Sequence, residues 1–312
     1  MTLTQLEYII AVDQHRHFAS AAEACFVTQP TLSMQVHKLE EELGVKIFDR
    51  SKQPVIPTEH GFEIIEQARK IIAERDALYE IIESRKGLVK GEFRLGIIPT
   101  LAPYLLPLFI HSFTKKYPFI KLQVTELTTT NLIAKLKEGT IDAGILVTPL
   151  QESGIKEEPL FYEEMMAYVS KSNEVFKKQY VLPKDIDPEK LWLLEEGHCF
   201  RSQIMNLCEL RKKSGHGAHL EYEAGSLETL RRMVDLYDGI TVLPELATLD
   251  MTAKQQTFLR NFKQPVPVRE VSLVTHRTFV KRRLVDALKH IVLECIPEKI
   301  RKNKKMLVVP ID

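Results

Sequence analysis

A chain of 312 residues is longer than one compact core usually organises, so two or three domains are expected. Hydrophobic residues make up 44% and charged residues 27%, and no run approaches the roughly eighteen consecutive apolar residues of a membrane span, which excludes a membrane-spanning helix. Net charge is +1, and residues 1–90 carry 11 Lys and Arg against 14 Asp and Glu, so nothing in the overall balance points to nucleic acid and any such contact must be local. The opening MTLTQLEYII, with Glu7 and Asp13 close by, does not resemble a secretory signal, and a cytoplasmic location is expected. In such a compartment Cys25, Cys199, Cys208 and Cys295 are expected as free, catalytic or redox-sensing thiols rather than structural disulfides.

The first predicted element is a helix within Leu3 to Val12, with Leu6, Ile9 and Ile10 at helical spacing. Phe18 to Ala24 is a second, short helix of small residues that permits close packing. Cys25 to Gln29 breaks the pattern, and a third helix starts at Pro30, where a missing N–H costs nothing. Leu32, Val36, Leu39 and Leu43 form its inner stripe, and Gly44 ends it. Its first turns otherwise carry Thr31, Ser33, Met34, Gln35 and His37, short or flexible groups suited to a helix inserted in the major groove. Val45–Arg50 and Val55–Thr58 are predicted as the strands of a hairpin wing. The DNA-contacting candidates are therefore Thr28, Gln29, Pro30, Thr31, Ser33, Gln35, His37 and Lys38, with Arg50 and Lys52 on the wing.

From Glu59 to about Lys86 the chain is predicted helical, with Ile64, Ile71 and Leu78 seven apart and Ala68 and Ile82 near a second seam. Such a helix either pairs with a second copy or packs on its own domain. Gly87 and Gly91 mark a hinge.

The segment FASAAEACFVTQPTLSMQVHKLEEELGVKIFDR, followed by PTEHG, resembles the LysR-type regulators. Thr28 stands where that family usually has Ser, and Cys25 where it usually has Leu; Cys25 is accordingly read as a small core residue. The resemblance favours dimerisation through the long helix. Beyond it, strands at Phe93–Pro99, Ile120–Glu126 and Asp142–Val147 alternate with helices at Tyr104–Lys116 and Thr130–Glu138, the pattern of a mostly parallel α/β sheet. LKEGTIDAGIL resembles the effector domain of the same family, whose two lobes have the periplasmic-binding-protein fold. The second lobe would begin near Glu163 and include a strand at Gly239–Leu243. The fold class is thus α/β, with a winged helix-turn-helix at 1–58, a linker helix and hinge at 59–90 and a two-lobed regulatory domain at 91–312.

The most unusual stretch is Gly197-His198-Cys199-Phe200-Arg201-Ser202-Gln203, with Cys208 nine residues after Cys199. His198, Arg201 and a helix start after Gly197 are groups that favour a thiolate. Thr100, Thr129 and Gln203 supply hydroxyl or amide groups that orient a small polar oxidant. LLEEGHCFRSQIMNLCEL, GSLETLRRMV and GITVLP together resemble the hydrogen-peroxide-sensing branch of the family. That resemblance implies that Cys199 reacts with peroxide and that Cys208 resolves the product as a disulfide. Ser202 departs from the Asp often found there, which bears on local charge and not on the thiol chemistry.

If 199–208 is helical, nine steps of ~1.5 Å separate the two Cα atoms by ~13 Å, whereas a disulfide needs ~7 Å or less, so closure requires local unfolding. His216 and His219 with Cys208 are a weak metal candidate, and no metal or cofactor is expected. KIRKNKK near the end is read as a basic tail, either solvated and disordered or in weak contact with nucleic acid. Expected partners are double-stranded promoter DNA, a second copy of the chain as homodimer or homotetramer, and RNA polymerase. A regulator answering a small metabolite in the lobe cleft is the alternative. A thiol peroxidase is disfavoured, because an enzyme has no use for the N-terminal segment.

Overall fold

The computed structural model describes residues 1–84, 89–209, 224–277, 279, 281–303 and 307–311. His216 and His219 lie outside the described residues. The chain forms two compact units, Met1–Val89 and a second built from Lys90–Arg277 with Arg283–Asp312.

In the first unit, α1 (Leu3–His15) opens with a capping box in which Thr2 and Gln5 satisfy each other's backbone N–H groups. His17 caps α2 (Phe18–Ala24) and Thr28 caps α3 (Gln29–Leu43), which ends where Gly44 turns left-handed at φ 70°. Leu6, Ile9 and Val12 of α1 close on Ala21 and Ala22 of α2 and on Leu32, Val36 and Leu39 of α3. The small α2 residues let the three helices approach closely, and each large apolar side chain so buried contributes roughly 1.5–3 kcal/mol.

The wing strands β1 (Phe48–Asp49) and β2 (Ile56–Pro57) are shorter than expected. The cause is local: Ile47 and Phe48 donate their N–H groups to Oε1 of buried Glu40, at 2.9 and 3.2 Å, and Pro57 has no N–H to offer. Helix α4 (Glu59–Ser84) follows. Its Ile65 and Ala68 are buried in the same core, with Ile64 and Ile71 half-buried against it, whereas Leu78 is 63% exposed. The start of the seven-residue seam therefore packs on its own domain. The side chain of Ile82 is outside the described residues.

In the second unit, β3 (Gly91–Ile97), α5 (Ala102–Lys116), β4 (Ile120–Glu126), α6 (Thr129–Glu138) and β5 (Ala143–Thr148) alternate as expected, with β3 parallel to both β4 and β5. The long β6 (Ile155–Val169) then crosses between the lobes, followed by β7 (Tyr180–Val181), α7 (Cys199–Leu207), α8 (Leu227–Leu236), β8 (Ile240–Pro244) and α9 (Ala253–Gln256). The chain closes with β9 (Leu259–Phe262), β10 (Pro267–His276), α10 (Arg282–Cys295), α11 (Glu298–Arg301) and β11 (Leu307–Val308). The sheet runs β4-β3-β5-β10-β6-β9-β7, with β11 beside β10 and β8 beside β6.

This sheet is mixed rather than mostly parallel, because β10 returns antiparallel to both β5 and β6. β6 pairs with β10 over 155–164 and with β8 over 165–169, so Glu163 and Glu164 sit where the strand passes from one partner to the other. The basic stretch near the end is not a free tail over Lys299–Asn303. Ile300 is buried, Lys299 pairs with Glu245 at 2.5 Å, and Asn303 donates to the Tyr162 carbonyl and to Glu245. No described helix is long and apolar enough to cross a membrane.

Candidate functional site

The sequence candidates fall on two separate surfaces. On the first unit, Thr28, Gln29, Pro30, Thr31, His37 and Lys38 are all exposed along α3, and Lys52 is exposed on the wing. The Thr28 hydroxyl accepts the N–H of Thr31, holding the first turn of α3 in shape. Gln35 is half-buried, and its Oε1 accepts from Gln5 Nε2 at 3.3 Å, while His37 lies 3.6 Å from Glu41.

Arg50 departs from a simple wing cation. Its Nη1 donates to Ser33 at 3.2 Å and its Nη2 to Glu40 at 3.3 Å, and its guanidinium lies 4.8 Å from the Phe18 ring centroid. It ties wing to helix. Met34, expected on this face, is 50% exposed, and sequence reading passed over a second exposed apolar group, Phe26 at 95% exposure.

The second surface is built at the start of α7. Gly197 has φ 95°, a left-handed conformation that frees the chain to turn, and His198 stands at the N-cap position of the helix that Cys199 begins, without a side-chain capping bond. Cys199 is 7% exposed and lines a cleft of about 310 Å³ with Thr129, Thr130, His198, Ser202, Glu152 and other residues. Burial dominates its acidity and pushes the thiol up. Against that, Thr129 at the head of α6, then the charge of Arg269, then the N–H groups of Phe200 and Cys199 hold it down. The buried Thr129 Oγ1 sits beside the sulfur and makes no well-formed hydrogen bond of its own.

Arg269, on β10, is completely buried. Its Nε donates to Glu163 at 2.7 Å, and its Nη1 and Nη2 donate to the hydroxyl and carbonyl of Thr100 at 3.1 and 3.2 Å. The Phe200 ring lies beneath it at 5.1 Å. Glu163 accepts a further N–H from Leu246 at 2.6 Å, while burial pushes its carboxyl up. A buried pair of this kind is sustained by its additional hydrogen bonds rather than by Coulomb attraction alone.

The expected environment of Cys199 is thus assembled unevenly. Thr129 and His198 share its cleft. Thr100 reaches the site through Arg269, Arg201 donates to the Leu194 carbonyl at 2.6 Å, and Gln203 donates to the Val309 carbonyl at 2.7 Å. The cation acting on the sulfur is Arg269, which sequence reading missed, together with its partner Glu163. A signal existed: each is a charge inside a strand-like run rich in apolar residues, FYEEMMAYV and PVREVSLVTH.

Cys208 caps the other end of α7, half-buried against the second-lobe core, and burial pushes its thiol up to about 12. All four cysteines are free. Among the described residues, no group of three or more His, Cys, Asp or Glu is arranged to hold a metal.

Two family models match the chain: the bacterial regulatory helix-turn-helix protein of the lysR family over residues 3–62, and the LysR substrate binding domain over residues 86–295. The chain is 36% identical over 274 residues to the hydrogen peroxide-inducible genes activator of Dickeya chrysanthemi, covering 88% of this chain and 89% of that one. The same identity and coverages hold for the DNA-binding transcriptional dual regulator OxyR of Escherichia coli K12. A full-length OxyR variant from Pseudomonas aeruginosa superposes with a TM-score of 0.79 at 35% identity, covering 95% of this chain and 99% of that chain. A hydrogen-peroxide-bound OxyR mutant from Corynebacterium glutamicum gives a TM-score of 0.60 at 27% identity, over 94% and 92%. These matches span both units and name regulators rather than enzymes. The chain belongs to the LysR family of bacterial transcriptional regulators, within its OxyR branch.

Proposed function

We propose that this regulator answers hydrogen peroxide through Cys199 and transmits the signal by forming a Cys199–Cys208 disulfide. One observation carries the reading: two free thiols at opposite ends of one helix, the first facing a polar cleft beside Thr129 and under the charge of Arg269. The Cys199 sulfur attacks one oxygen of hydrogen peroxide and the O–O bond breaks. The sulfur keeps that oxygen as sulfenic acid, and the other leaves as water with the thiol proton. The Cys208 sulfur then attacks the sulfenic sulfur, the S–O bond breaks, and a second water leaves with the Cys208 proton. Cellular thiols reverse the bond and reset the switch.

The partners are double-stranded operator DNA, met by α3 and the wing with Lys38 and Lys52 reaching phosphates, a second copy of the chain, and RNA polymerase. Ser33 and Arg50 act in this reading by bracing wing against helix, and Gln35 through its contact with Gln5. Mass spectrometry of the reduced chain after stoichiometric peroxide tests the chemistry. A Cys199–Cys208 peptide pair is expected; two intact thiols would remove the proposal. The cleft of about 310 Å³ is larger than peroxide needs, which favours one second reading, a small-metabolite effector. That reading requires a Cys199→Ser chain to respond normally in a promoter assay.

A further inference from the structure

The described C-terminal segment lies beyond the residues matched by the family's domain model, which ends at 295, yet it contacts the sensor helix directly. Leu307 and Val308 run parallel to Pro267 and Val268 of β10. Val309 is buried in the second-lobe core and donates its N–H to the Val268 carbonyl at 3.0 Å. With that N–H committed and none on Pro310, the segment turns carbonyl acceptors toward α7. Gln203 Nε2 donates to the Val309 carbonyl at 2.7 Å, and Asn206 Nδ2 to the Pro310 carbonyl at 3.2 Å. Ile311 then enters the lining of the Cys199 cleft beside Ser202.

Gln203 and Asn206 are three residues apart, neighbours on one helical face, so both bonds require α7 to be wound. Disulfide closure requires the opposite, since nine helical steps hold the two Cα atoms ~13 Å apart and the bond needs ~7 Å or less.

We propose that Leu307–Ile311 is a strap that fastens the sensor helix, with Gln203 and Asn206 as positioning residues whose release sets the rate at which Cys199 and Cys208 join. The inference rests on the reading of the cysteine pair given above. In it, oxidation of Cys199 to sulfenic acid can proceed with the strap in place, and the second step waits for the strap to let go.

The test follows disulfide closure in the full chain after mixing with hydrogen peroxide, by alkylation quench and mass spectrometry. Sulfenic acid formation is followed separately in a Cys208→Ser background with a dimedone-type reagent. Ending the chain at Met306 is expected to speed closure at least about tenfold, equivalent to ~1.4 kcal/mol off that barrier, without slowing sulfenic acid formation. Asn206→Ala removes one bond and is expected to speed closure about threefold to fivefold. Alanine is also the better helix former, so an effect confined to α7 itself would slow closure, which separates strap from helix propensity. If the truncated chain fails to fold, Asn206→Ala alone decides. Unchanged or slower closure in these variants, with normal closure in the parent, overturns the strap and leaves the cysteine reading standing. A parent chain that forms no Cys199–Cys208 bond overturns both.

Discussion

Cys199 is placed between opposing influences whose balance has a measurable sign. Burial raises the pKa of its thiol above the ordinary cysteine value, while Thr129, Arg269 and the first N–H groups of α7 restrain the rise. The attacking species is the thiolate, and its fraction climbs about tenfold per pH unit below the pKa. Sulfenic acid formation in the Cys208→Ser chain is therefore expected to accelerate about tenfold per unit from pH 6 to pH 8, without a plateau. A flat profile would mean that the thiol is already ionised.

Arg269 separates structure from chemistry. Arg269→Met leaves Glu163 buried without its partner, which costs roughly 3–5 kcal/mol, and removes the nearby charge from Cys199. Adding Glu163→Leu is expected to restore most of the stability in a urea titration, yet not the rate with peroxide. Recovery of both would reduce Arg269 to a packing residue. Cys199 and His198 were legible in the sequence because they stand side by side in GHCFRSQ, with Cys208 nine residues after Cys199. Arg269 and Glu163 were not, because they belong to strands far away in the chain and meet Cys199 only through the register of β6 and β10.

At the scale of elements, local chemistry was the most readable. Thr28 as cap, Pro30 in the first turn and Gly44 at the end bound α3 because each acts on its own backbone. Sheet direction was less readable, since the antiparallel return of β10 depends on pairing with strands over 100 residues away. The end of the chain misled for the same reason: Lys299 finds Glu245 across the fold.

Helix α7 is where element and function meet. With Phe200 and Ile204 fully buried and Cys208 bonded through its N–H to the Ile204 carbonyl, the reduced helix is secured along its length. In the proposed mechanism, joining Cys199 to Cys208 must open it. Hydrogen exchange of the amides of 201–208 is expected to be slow in the reduced chain and at least tenfold faster after peroxide. Equal protection in both states would show that the helix persists and that the two sulfurs do not join.

At the scale of the whole molecule, the proposed switch requires a buried thiol in one unit to alter what another unit does on DNA. The first unit carries no basic excess, so in this account its affinity for DNA rests on α3 and the wing, and small changes in how two copies meet paired half-sites matter. Leu78, exposed on α4, belongs in this account to the surface through which two copies pair. The most direct measurement is DNA footprinting of the reduced and the peroxide-treated chain on one operator, with Cys199→Ser alongside. The account predicts a protected region whose extent differs between reduced and oxidised chain and stays in the reduced pattern for Cys199→Ser under peroxide. Identical footprints for both states of the parent, or a shift that survives Cys199→Ser, would contradict it.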